Sequence, residues 1–105
     1  MKTELLTRDD AVQRILESEY AIRALGVRRL ALFGSVLRDE ANSRSDVDLL
    51  VQFTPGAKTF ENFLALSELL EECLGHHVDL VTSESLSPFI GPHILVVAQD
   101  VLRAS

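Results

Sequence analysis

The sequence predicts a small α/β domain, and three observations predict it. Apolar residues at helical spacing alternate with short, compact apolar runs. The three prolines and five glycines fall between these periodic segments. The 105 residues, 47% hydrophobic and 25% charged, suit one small globular core, taken as a single domain over residues 1–105. The expected order is helix, strand, short helix, strand, helix, strand, helix. That alternation implies a small mixed β-sheet flanked by helices.

Thr7 followed by Asp10 has the pattern of a helix N-cap with an acidic residue three positions on. Val12, Ile15, Leu16, Ile22 and Leu25 continue at helical spacing, Ser18 divides the stretch into two helices, and Gly26 ends it. Val27 to Phe33 is a strand, and Gly34-Ser35 closes it. A short helix is expected over Val36 to Glu40, then a loop at Asn42 to Arg44. Val47 to Phe53 is the second strand, stopped by Thr54-Pro55-Gly56. Thr59 caps a helix whose apolar face is read as Phe60, Phe63, Leu64, Leu70 and Leu74, and Gly75 terminates it. Val78 to Thr82 is the third strand. After turn or helix-start signals at Ser87-Pro88 and Gly91-Pro92, His93 to Arg103 is expected to form a last helix, with Ile94, Leu95, Val97, Ala98, Val101 and Leu102 as its apolar set.

Composition excludes several function classes. The net charge of −6 argues against bulk nucleic-acid binding, which needs a positive surface to neutralise phosphates. Arg28, Arg29, Arg38 and Arg44 nevertheless bracket the glycine turn and the acids after it, so a small anion is compatible with that region. No apolar run approaches the roughly 20 residues that span a bilayer, and Met1 to Asp10 lacks a signal-peptide core. The lone Cys73 cannot form an internal disulfide. A cytoplasmic protein is expected.

The chemistry concentrates in Gly34-Ser35 and Ser45-Asp46-Val47-Asp48-Leu49-Leu50-Val51. Side chains alternate faces along a strand, so Asp46 and Asp48 point the same way. Asp79, in the strand Val78-Asp79-Leu80-Val81, converges on them if its strand pairs beside Val47 to Phe53. Mg²⁺ takes oxygen ligands and keeps waters and substrate phosphates in its shell, so three carboxylates suffice for one or two ions. Two ions would clamp a phosphate under in-line attack, and Asp79 is placed to accept the proton of an attacking hydroxyl. Gly34 lets backbone approach a phosphate, the Ser35 hydroxyl adds a hydrogen bond, and Arg38 lies one helical turn beyond to steady phosphate or loop.

Leu32-Phe33-Gly34-Ser35-Val36-Leu37-Arg38 and the Asp-x-Asp segment together resemble the signature of the DNA polymerase β-like nucleotidyltransferases. Short length, Leu74-Gly75-His76-His77-Val78-Asp79-Leu80-Val81-Thr82 and a Ser-Pro-Phe-Ile segment make the chain similar to the minimal nucleotidyltransferase antitoxins of HEPN/MNT toxin–antitoxin pairs, over about residues 8 to 103. The resemblance implies a polymerase β-like fold, ATP as substrate and Mg²⁺ as cofactor. It also implies AMP transfer to a tyrosine of a partner HEPN ribonuclease toxin. Carried over, Gly34 and Ser35 match the triphosphate turn, Asp46 and Asp48 the metal-binding pair and Asp79 the third carboxylate. The chain departs from relatives at Asp39, where glycine is common, and at Val97, where many carry glutamate. Its shortness favours an acceptor that is itself a protein. Two other readings stand beside this one: an antitoxin that neutralises by binding alone, and a transferase acting on a small molecule or RNA end.

Other residues receive plainer readings. Arg28 and Arg29 are taken as exposed strand-edge charges, Arg44 as a loop residue, and Asp39 and Glu40 as solvated acids. Phe60, Phe63 and Cys73 are read as packing, and Tyr20 as structural, with self-modification the alternative for an accessible hydroxyl. His76-His77 before Asp79 is not read as a transition-metal site, because adjacent strand residues face opposite ways.

Overall fold

The computed structural model describes residues 6–38, 46–86, 89 and 91–103. Helices α1 (Arg8–Glu17) and α2 (Glu19–Ala24) lead into strand β1 (Val27–Phe33). The short helix α3 (Gly34–Leu37) precedes β2 (Val47–Phe53). Helix α4 (Phe60–Leu74) leads to β3 (Val78–Thr82), and α5 (Gly91–Val97) to β4 (Gln99–Arg103). The expected loop at Asn42 to Arg44, the charges Asp39, Glu40 and Arg44, and the Ser87-Pro88 signal lie outside the described residues.

The helix boundaries follow local chemistry. Thr7 Oγ1 accepts the Asp10 N–H at 3.1 Å, and Thr59 Oγ1 accepts that of Asn62 at 3.1 Å, each satisfying one otherwise orphaned donor. Ser18 divides α1 from α2, its N–H reaching back to the Ile15 carbonyl at 3.0 Å. Gly75 adopts the left-handed conformation (φ 69°) that ends α4. Arg14 donates through Nη1 to the Leu74 carbonyl at 2.6 Å, placing a cation at the negative end of α4 and tying α1 to it.

The four strands run in the order β3-β2-β1-β4. β1 is antiparallel to both β2 and β4, whereas β2 and β3 are parallel. Leu30 and Leu32, Val47, Leu49 and Val51, Val78 and Leu80, and Leu102 form one core with Ala11, Ile15, Ile22, Val36, Leu66, Leu70 and Leu74 from the helices. Residues at alternate strand positions turn to the other face, where register aligns Phe33, Asp48 and Asp79 in one row and pairs Ala31 with Leu50 and Asp100 in the next. One face of the sheet is thus given to packing, and the other to polar groups at its β2–β3 end.

Four expectations are corrected. The last predicted helix is a helix followed by a strand: Ala98 N–H closes on the Ile94 carbonyl at 2.9 Å, and the chain then extends to pair with β1. A continuous apolar run does not distinguish the two states, and the backbone groups along β1 offered ladder bonds that a helix would have left unpaired. Arg28 and Arg29 consequently lie on an interior strand. Arg29 donates through Nε to Asp100 of β4, whose other carboxylate oxygen lies 3.3 Å from Arg103 Nη1. Phe60 and Leu64 are 75% and 45% exposed, while Leu66, omitted from the expected face, is fully buried with Leu70 and Leu74. The inward stripe of α4 thus runs through Phe63, Leu66, Leu70 and Leu74, with Phe60 and Leu64 to its side. The short helix expected over Val36 to Glu40 starts earlier, at Gly34.

Leu70 and Leu64 make a direct comparison. Leu70→Ala is expected to cost about 2–5 kcal/mol, the usual range for a buried leucine, and Leu64→Ala about 0.5 kcal/mol or less. Urea unfolding of the two variants measures the difference.

Among the described residues, no helix is long and apolar enough to cross a membrane.

Candidate active site

Asp48 sits at the centre of the site because three strands converge there. On β1 its register partner is Phe33, and on β3 it is Asp79. Parallel pairing of β2 with β3 therefore places Asp79 directly across from Asp48, as the sequence required for convergence. Asp46 precedes β2 by one residue and shares a side with Asp48. Its carboxylate is about half exposed.

The turn after β1 closes on this group. Gly34 has φ +78°, and a Cβ at this position would lie 2.0 Å from Asp48 Oδ2. Glycine is needed here twice over: for a left-handed backbone, and because the carboxylate occupies the space of a side chain. Ser35 follows in the first turn of α3, partly buried, and Arg38 caps the helix through its N–H to the Gly34 carbonyl at 3.3 Å.

The electrostatics of Asp48 reflect its neighbours. The Asp48 carboxyl is raised above the ordinary aspartate range, first by burial, then by Asp79 and by Asp46, with Arg38 opposing. Two neighbouring anions and a partly desolvated third create a negative potential that a divalent cation would relieve. The donors are all carboxylate oxygens, the chemistry that suits Mg²⁺. Among the described residues, no three carboxylate, imidazole or thiol groups are gathered closely enough, as they stand, to hold an ion. A cation held by Asp46, Asp48 and Asp79 would therefore complete its shell with water or phosphate oxygens.

Of the six residues singled out from sequence, Gly34, Asp48 and Asp79 are brought into direct apposition, Asp46 flanks them, and the charge of Arg38 reaches Asp48. For Ser35 the structure shows position alone. One neighbour was missed. His77 Nδ1 lies 3.2 Å from Asp46 Oδ1, and its Nε2 lies 3.7 Å from Glu71 Oε2. The signal was available: His77 stands two residues before Asp79, on the side that meets Asp46 across the β2–β3 pair.

The sequence profile of the nucleotidyltransferase domain matches residues 11–100. The chain belongs to the nucleotidyltransferase domain family. This nucleotidyltransferase is 44% identical over 70 residues to protein adenylyltransferase MntA of Thermococcus cleftensis, an alignment covering 67% of this chain and 70% of the relative. A solved structure provisionally described as a minimal nucleotidyltransferase superposes with TM-score 0.79 at 32% identity, covering 91% of this chain and 97% of the other. A chain from the complex of a tri-AMPylated Shewanella oneidensis HEPN toxin with its MNT antitoxin shares the fold, with TM-score 0.63 at 19% identity, covering 93% of this chain and 74% of that one. The polymerase β-like expectation for the fold is thereby met.

Proposed function

We propose that this nucleotidyltransferase transfers AMP from ATP to a tyrosine hydroxyl of a HEPN-type toxin, Mg²⁺-dependently, and so acts as an antitoxin. The observation that carries the reading is the apposition of Asp48 and Asp79 across the β2–β3 pair, with Asp46 beside them and Gly34 against Asp48.

In this reading Asp46 and Asp48, with Asp79 completing the site, would hold one or two Mg²⁺ ions. The Gly34-Ser35 turn receives the β and γ phosphates, with Arg38 neutralising charge nearby. When bound, the cation offsets the charge of the phosphates and of the entering and leaving oxygens. Asp79 accepts the proton of the tyrosine hydroxyl. That oxygen forms a bond to the α-phosphorus, the bond from the α-phosphorus to its bridging oxygen breaks, and pyrophosphate leaves. The supporting comparisons are the adenylyltransferase name of a 44% identical relative and the AMPylated toxin in the complex that shares the fold.

The test is intact-mass measurement of the purified toxin after incubation with this protein, ATP and Mg²⁺. One or more adenylyl groups are expected on the toxin, located on tyrosine by fragmentation, and none with an Asp46→Ala/Asp48→Ala variant. Unchanged toxin mass, together with full neutralisation by that variant, would overturn transfer in favour of neutralisation by binding alone. Adenylylation of an RNA end or small molecule in place of the toxin would overturn the acceptor.

A further inference from the structure

We propose that His77 is a positioning residue for Asp46, linking that carboxylate to helix α4 through Glu71. The inference rests on the reading of Asp46 as a metal ligand given above.

The two strand starts are locked together first. The Val47 N–H donates to the His77 carbonyl at 2.9 Å, which fixes residue 77 opposite residue 46. The His77 ring then stands between two carboxylates: Nδ1 is 3.2 Å from Asp46 Oδ1, and Nε2 is 3.7 Å from Glu71 Oε2. Glu71 is itself held, because its Oε2 accepts the Val78 N–H at 3.1 Å. It projects from the last turn of α4, whose Leu70 and Leu74 are fully buried. A rigid helix thus reaches a surface carboxylate through one imidazole.

Asp46 needs such a support more than Asp48 does. Asp48 is confined by burial and by the Gly34 backbone. Asp46 lies just outside the strand and is half exposed, so its carboxylate has rotamers to lose on binding a cation. The approach of His77 Nδ1 to within 3.2 Å of Oδ1 favours one orientation of the carboxylate and leaves Oδ2 for the metal in this reading. Ligating carboxylates are generally held by such outer partners, and removing one typically weakens metal binding about 10–100-fold. The His77 side chain is itself 69% exposed, so its contacts add little to folding. Orientation of Asp46 is the effect left for them.

Amide isosteres separate the two contacts. Asparagine places its amide nitrogen where histidine has Nδ1, and glutamine where histidine has Nε2. Mn²⁺ binding is measured by electron paramagnetic resonance in the presence of α,β-methylene ATP, which cannot be cleaved at the transferred bond. His77→Ala and His77→Gln are expected to weaken Mn²⁺ binding by about 10-fold. His77→Asn is expected to stay near the parent protein, and all three should keep its Tm. Unchanged affinity in His77→Ala, equal recovery by glutamine and asparagine, or a loss of affinity that follows a loss of Tm would each overturn the assignment. Asp48→Asn is the control that separates this inference from its premise. If the parent protein binds no Mn²⁺, or Asp48→Asn binds it as well as the parent does, the metal-site reading itself fails and the role of His77 fails with it. If the control behaves as a site variant and His77→Ala does not, only the role of His77 is lost.

Discussion

Replacing Asp48 by asparagine is expected to reduce nucleotidyl transfer by about 1,000-fold, the scale on which transition-state charge stabilisation is lost, and yet to raise the melting temperature. The two effects have one cause. Burial, Asp79 and Asp46 all disfavour the charged form of Asp48 and raise its carboxyl above the ordinary range. A raised folded-state pKa means that the folded protein binds this proton more tightly than the unfolded chain does. The folded state is therefore favoured below the unfolded value and loses stability as pH rises from there through the folded one. At neutral pH the charge on Asp48 opposes folding, and asparagine removes it at constant shape. The group is only partly buried, so solvent screens the repulsion. The expected gain is roughly 1–4 °C, against the ~4–8 °C that about 1 kcal/mol gives a domain of this size. The gain should shrink as the pH of the melt is lowered towards the acid range. A transfer assay and melts at several pH values check both halves. A variant that is inactive and less stable would show that Asp48 is not under the strain inferred for it.

Gly34→Ala should cost activity almost as heavily, by about 100-fold or more, for a steric reason. Alanine at φ +78° pays roughly 1–2 kcal/mol for left-handed backbone. Its methyl would also stand 2.0 Å from Asp48 Oδ2 and 2.9 Å from Cγ, so the carboxylate or the turn must move. Gly56 supplies the control: it has φ +84°, but an added Cβ there meets nothing within 4 Å. Gly56→Ala should show the backbone cost alone, with transfer retained. Transfer rates and Tm for the two variants separate strain from displacement of Asp48. A Gly34→Ala protein of full activity would mean that Asp48 need not stay where it is.

Much of the architecture was legible because it is written in local periods. Thr7 and Thr59 as caps, Ser18 as a break, Gly75 as a stop and three of the four strands follow from residue type and spacing over a few positions. The fourth strand was not legible. Gln99 to Arg103 carries Val101 and Leu102 directly after a helical run, and only the unpaired side of β1 makes extension favourable there. The exposure of Phe60 was equally hidden, because apolar residues at helical spacing do not by themselves say which of them reach the core.

The candidate site divides along the same line. Gly34, the Asp46–Asp48 pair and Asp79 were recognisable from residue chemistry, since carboxylates two apart on a strand must share a side. That Asp79 stands across from Asp48 and that His77 reaches Asp46 follow from the parallel pairing of β2 with β3, and that Gly34 lies against the Asp48 carboxylate follows from the antiparallel pairing of β1 with β2. Residue types and local periods state what each segment offers. Which groups meet is decided by contacts between segments far apart in the chain, whose register depends on burying one whole sheet face at once.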